Sequence, residues 1–254
     1  MSNTGTPLLE LRGAGKRFGA IQALSGVDLV VRSGEVLALV GDNGAGKSTL
    51  IKCMAGSHPL DEGLLLVQGE PVHLRAPPDA TRLGIETVYQ DLALCDALDV
   101  VANLFLGREL LVPGAGRPLR MLDEVVMEQK AREVLAELAV TIPDLRAPVA
   151  SLSGGQRQCI AVARAVMWNS RLVILDEPTA ALGVAQAGQV LDLVRRLRAR
   201  GLAVLIISHN LADVFAVADR IVVLRLGRKV ADVDARAVSR EDVVAAITGA
   251  AERA

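Results

Sequence analysis

Gly41-Asp42-Asn43-Gly44-Ala45-Gly46-Lys47-Ser48 places three glycines, a lysine and a hydroxyl within eight consecutive residues. The spacing fits a phosphate loop. Glycines let backbone N–H groups curl around phosphate oxygens, and a helix that begins at the loop aims its positive end at the same anion. Residues 35–40, apolar after Glu35, read as a buried strand before the loop, and 47–55 as a helix after it with Gly56 as its stop. In that frame Lys47 reaches the β- and γ-phosphates of a nucleoside triphosphate. Ser48, or its neighbour Thr49, supplies a hydroxyl, and the register favours Ser48 for Mg2+.

Further along, Leu172-Val173-Ile174-Leu175 reads as a buried strand that delivers Asp176 and Glu177 at its C-terminal end. Ligand sites in open parallel sheets lie at such ends. Asp176 is placed to hold Mg2+, and Glu177 to orient an attacking water or accept its proton. Pro178 then stops the strand. His209 follows another buried strand, Val204-Leu205-Ile206-Ile207-Ser208, where an imidazole can donate to a γ-phosphate oxygen. A histidine at such a place is as often structural, and both readings stand. Gln90 ends a strand at 85–89, where its amide can ligate Mg2+ and the attacking water; taken alone it reads as a loop residue.

Leu152-Ser153-Gly154-Gly155-Gln156 opens a helix. By average residue frequencies this pentapeptide occurs by accident in such a chain with probability on the order of 10⁻⁴ to 10⁻³. Two glycines at a helix start expose amides and a positive dipole end, a second anion site in one chain. One chain does not readily wrap both around one phosphate if the second lies on a separate lobe. Two copies arranged head-to-tail do, each lending its second site to the other's nucleotide. With the serine alone, the segment would read as an ordinary N-terminal cap.

The elements that position these residues alternate. Strands are predicted at 8–12, 27–31, 64–67, 70–73 and 202–207, with a hairpin over 220–233. Helices are predicted at 79–83, 99–106, 122–138, 154–168, 184–200, 210–217 and 241–247. In the helix over 122–138 the apolar set is Leu122, Val125, Val126, Val134, Leu135 and Leu138. Ser239 with Asp242 reads as a capping pair for the last helix. The pattern implies an α/β fold with a mostly parallel sheet covered on both faces. An all-helical insertion over 93–165 makes a second lobe, and a Gly- and Pro-rich surface loop at 112–118 lies inside it.

Composition narrows the function classes. The chain has 254 residues, 51 % of them apolar, so a large core is available. Aromatics are 2 % and net charge is −1, which argues against stacking on or charge-driven binding of nucleic acid. Cys53, Cys95 and Cys159 lie far apart and read as small core hydrophobes in a reducing compartment. Residues 1–7 lack the regions of a signal peptide, and the longest apolar runs are of strand length, against about 20 residues for a membrane span. The expectation is a soluble chain whose membrane role, if any, comes through a partner.

In this order, over residues 8–233, the motifs resemble the ATP-binding subunit of ABC transporters. The resemblance implies a P-loop NTPase (RecA-like) core, an antiparallel N-terminal β subdomain and an inserted helical subdomain. It implies one nucleotide-binding domain over 1–254, with core and β parts at 1–92 and 166–254 and helices at 93–165. ATP and Mg2+ are the implied ligands. Residues 41–49 and the signature residues Ser153, Gly154, Gly155 and Gln156 would bind ATP; Ser48, Gln90 and Asp176 would bind Mg2+. Lys47, Gln90, Glu177 as general base and His209 as switch histidine would serve catalysis. Phe18, in Lys16-Arg17-Phe18-Gly19, otherwise reads as core; the resemblance makes it the ring that stacks on adenine.

A narrower likeness is to importers of the ribose, xylose and fructose type. It rests on Val88-Tyr89-Gln90-Asp91-Leu92-Ala93-Leu94, on Asp176-Glu177-Pro178-Thr179-Ala180-Ala181-Leu182, and on Ser208-His209-Asn210-Leu211 with Asp213-Val214-Phe215 and Ala218-Asp219-Arg220. It implies an ATP-sandwich homodimer, peripheral on the cytoplasmic face of the cell membrane. A transmembrane permease would dock near Asp91 to Leu98, and an extracytoplasmic sugar-binding protein would act indirectly. Gly183 stands where the family usually has an aspartate at the dimer seam, so communication between sites is expected to be looser or built otherwise, with hydrolysis intact. Other members serve DNA repair, translation or cofactor assembly. The missing coiled-coil arm and basic stretch weigh against those roles, and Gly183 alone favours a module without catalysis.

Overall fold

A computed structural model describes residues 7–112 and 121–250. Residues 1–6, and all but Val112 of the loop expected at 112–118, lie outside the described residues. In chain order the strands are β1 (Pro7–Phe18), β2 (Ile21–Arg32), β3 (Val36–Val40), β4 (Glu62–Val67), β5 (Glu70–Val72), β6 (Ile85–Val88), β7 (Leu172–Asp176), β8 (Ala203–Ile207), β9 (Arg220–Arg225) and β10 (Arg228–Asp234). One sheet is antiparallel with order β2-β1-β4-β5; the other has order β10-β9-β3-β8-β7-β6. The second is parallel except for β10, which pairs antiparallel to β9.

The β3 and β8 strands are buried along their whole length because both faces of the parallel sheet are covered. Alternation sorts their side chains. Leu37, Leu39, Leu205 and Ile207 join the core shared with the antiparallel sheet, while Val36, Ala38, Val204 and Ile206 face the core on the helical side. That helical side comprises α3 (Val100–Phe105), α4 (Glu124–Glu137), α5 (Gly154–Val166), α6 (Val184–Ala199), α7 (Leu211–Val217) and α8 (Arg240–Thr248). The other side takes α1 (Lys47–Met54) and a short α2 (Pro77–Arg82).

Three local expectations are corrected. First, β1 and β2 do not stop at residues 12 and 27; they run on to a turn at residues 19–20. Register shifts after Leu11, Ala14 and Lys16 absorb the glycines as bulges. Second, of the apolar set expected over 122–138, Leu135 and Leu138 are buried, but α4 completes its buried stripe with Met127 and Ala131, while Val125, Val126 and the preceding Leu122 are exposed. Third, Cys53 and Cys159 are buried, with thiols pushed up to about 11 by burial, but Cys95 is exposed. At the last helix, Ser239 and Asp242 form the expected capping box.

Candidate nucleotide and hydrolysis site

Residues 41–46 connect β3 to α1. The first-turn amides of α1 receive no side-chain cap from Gly46. They remain available to an anion, whereas in the loop before them the Asn43 amide donates to the Asp42 carboxylate at 2.7 Å and the Ala45 amide to the Asp42 carbonyl at 3.1 Å. Gly46 has φ +102°, and a Cβ there would meet the Ala23 carbonyl oxygen at 2.7 Å, so only glycine fits. The Lys47 ammonium donates to the Gly41 and Asp42 carbonyls at 2.8 and 3.0 Å, which holds it over the loop.

Neighbouring strands bring the other groups to the same sheet end. β8 lies beside β3, β7 beside β8 and β6 beside β7. Leu39 is opposite Ile207, Asp176 opposite Ile207, and Leu175 opposite Val88. The chain continuing from these four strands carries Lys47, His209, Glu177 and Gln90. Glu177 Oε2 lies 2.8 Å from His209 Nδ1, and the His209 amide donates to the same oxygen at 3.4 Å. A carboxylate acceptor at that distance places the hydrogen on Nδ1 and leaves Nε2 as the other ring nitrogen. Burial, and then the charge of Glu177, raise the Asp176 carboxyl above its ordinary range, against the pull of Lys47 and Lys52. Asp176 has no hydrogen-bond partner among the described residues. A half-buried, unpartnered carboxylate beside a phosphate loop fits a divalent cation, which would relieve that repulsion. Ser48 stands one residue into α1, and Gln90 is exposed just past β6.

The pentapeptide folds as a capped helix start. The Ser153 hydroxyl accepts from the Gln156 amide at 3.3 Å, and the Gln156 side chain accepts from the Ser153 amide at 3.0 Å. The Ser153 O–H can still donate to a ligand, whereas Gln156 Oε1 is committed to the cap. Gly155 has a packing reason of its own: a Cβ there would lie 2.9 Å from the Gln186 Cβ on α6. Gly154 lines a cavity of about 390 Å³ together with Gln90, Leu92, Leu94, Arg157 and Leu182. The phosphate loop is not part of its wall. Within one copy, therefore, the signature faces the glutamine segment.

Three residues that local pattern did not single out organise that segment. Arg164 Nη1 and Nη2 donate to the Ala93 and Leu92 carbonyls, each at 2.8 Å. One face of α5 also brings Arg157 within 3.3 Å of Asp96. Asn103 is fully buried, accepts from the Cys95 amide at 2.7 Å and donates to the Cys95, Leu98 and Asp99 carbonyls. An asparagine within the apolar run 100–105 was the one available signal. Phe18, expected in the core on composition alone, is 43 % exposed at the end of β1. Ala23 and Leu24, on the strand that pairs with this end, abut Gly46 of the phosphate loop.

The profile of the ABC transporter family matches residues 24–180, from β2 through the phosphate loop, Gln90 and the signature to Glu177. The chain belongs to the ABC transporter family. It is an ATP-hydrolysing subunit of that family. It is 48 % identical over 248 residues to the fructose import ATP-binding protein FrcA of Rhizobium meliloti, covering 97 % of this chain and 95 % of that one. It is also 48 % identical over 221 residues to the xylose/arabinose import ATP-binding protein XylG of Sulfolobus acidocaldarius, covering 87 % and 86 %. A ribose import ATP-binding protein, RbsA 1 of Rubrobacter xylanophilus, is 43 % identical over 96 % of this chain, which spans 47 % of that protein. Among solved structures, MJ1267, an ATP-binding cassette of an ABC transporter, is similar in its ADP conformation with TM-score 0.80 at 27 % identity, covering 95 % of each chain. An ABC cassette is therefore the frame in which the four strand ends act.

Proposed function

We propose that this ABC ATPase powers monosaccharide import by closing as a head-to-tail pair on two molecules of Mg·ATP. What supports the reading is the arrival of Lys47, His209, Asp176 with Glu177, and Gln90 from four adjacent strand ends. Fructose- and xylose/arabinose-import relatives at 48 % identity point to sugars. Loop amides of residues 41–46 and Lys47 bind the phosphates. Phe18 carries the base, and Ser153, Gly154 and Gly155 of the second copy close over the terminal phosphate. Ser48, Asp176 and Gln90 would hold Mg2+, which when bound neutralises charge on the β- and γ-phosphates. Glu177 takes the proton from the water that attacks the γ-phosphorus, and the bond to the ADP oxygen breaks. His209, hydrogen-bonded to Glu177 through Nδ1, keeps that carboxylate in place, and donates to a γ-phosphate oxygen only with a second proton on Nε2.

No helix among the described residues is long and apolar enough to cross a membrane. The sugar path would therefore belong to a permease, with this chain peripheral on its cytoplasmic face and a sugar-binding protein outside. Half-buried Leu92, Leu94 and Leu98 border the segment that receives the permease, and Arg157 and Arg164 tie that segment to the signature helix. Reconstitution with its permease tests the assignment. Fructose, ribose or xylose with the binding protein should stimulate phosphate release and be taken up. Stimulation by another class of solute alone would transfer the chain to a different ABC importer.

A further inference from the structure

His58, to which the motifs give no role, touches the ring that the proposed function places under adenine. Its imidazole meets Phe18 edge-on, with centroids 5.3 Å apart and planes at 71°. The Lys16 ammonium lies 5.6 Å from the Phe18 centroid and is itself held by Asp61 at 2.8 Å. Asp61 also accepts the Arg17 amide at 2.7 Å, which fixes the backbone just before Phe18. His58 comes from a different part of the chain. Its amide donates to the Lys52 carbonyl at 3.1 Å, in the last turn of α1, the helix that begins at the phosphate loop.

We propose that His58 is a positioning residue for the nucleobase: it sets the Phe18 ring from the edge and ties the adenine platform to α1. This rests on the reading of Phe18 as the base platform. A part-exposed phenylalanine at a strand end would otherwise sample several orientations, and base stacking would have to immobilise it. An edge-to-face partner removes part of that cost before the ligand arrives. Because His58 is anchored to α1, the distance from base platform to phosphate loop is held by one rigid element.

The test compares Mg·ADP with Mg·pyrophosphate, which lacks the base, by calorimetry on the full chain. His58→Ala should weaken ADP roughly two- to tenfold, the size of one aromatic pair, and leave pyrophosphate unchanged. Phe18→Ala should weaken ADP roughly five- to hundredfold, again without touching pyrophosphate. The double variant should match Phe18→Ala, and His58→Phe, which keeps an edge-on ring, should restore wild-type ADP affinity. Equal loss for both ligands in His58→Ala, or no loss, with Phe18→Ala still selective, overturns the role of His58 alone. A Phe18→Ala variant that does not discriminate the ligands overturns the platform reading itself.

Discussion

Glu177 has φ +51°, a left-handed conformation uncommon outside glycine, and its amide still donates to the Ile207 carbonyl at 2.9 Å. The backbone thus continues the β7–β8 ladder while the side chain turns to His209, the kind of strained placement that surrounding structure must hold. Glu177→Gln keeps the size and an acceptor oxygen but cannot take a proton. Phosphate release should fall by roughly 10²–10⁴ with ATP affinity kept, and wild-type turnover would remove Glu177 from the role of base. Asp176 makes a pH-dependent statement. Burial and the Glu177 charge raise its folded value above the unfolded one, so folding disfavours the charged form relative to the unfolded chain. Its contribution is full below the unfolded carboxylate range and is lost as pH rises through the raised folded value. In Mg-free protein, Asp176→Asn should therefore be more stable than wild type at neutral pH, with the gap closing near pH 4. Thermal melts at the two pH values check this; a gap that widens on acidification contradicts it.

At the scale of elements, α5 is the piece through which everything passes. It begins with the signature, lies against α6 so closely that Gly155 admits no side chain, and binds the glutamine segment through Arg157 and Arg164. Gly155→Ala must push α5 from α6, and should cost about 1–3 kcal/mol in chemical denaturation together with a loss of ATPase. An unchanged midpoint would mean that α6 yields without strain. The phosphate loop, the acidic strand end, the helix start at Ser153 and the Ser239 cap were legible because each is a contiguous pattern with its own physics. What was not legible joins distant residues. Arg164 reaches carbonyls 71 and 72 positions away, and His58 finds Phe18 across the β-subdomain. The lengths of β1 and β2 were missed because bulges let strands run through glycines, and the α4 face because its apolar residues exceed those the core accepts.

For the whole molecule, the decisive geometry is a separation. The signature lines a cavity with Gln90 whose wall excludes the phosphate loop, an arrangement that the proposed head-to-tail pair would complete with a second copy. The near-neutral net charge of −1 opposes such pairing little. Gly183 starts α6 exposed, with nothing within 4 Å of where a Cβ would stand. Within one copy, that position has room for a side chain.

Light scattering on the Glu177→Gln protein with saturating Mg·ATP tests this most directly. The gripping of ATP between two copies predicts that the 26.7 kDa mass doubles with ATP and returns to one copy when the nucleotide is removed. A protein loaded with ATP that stays at the single-chain mass at high concentration, and also beside its permease, would contradict it.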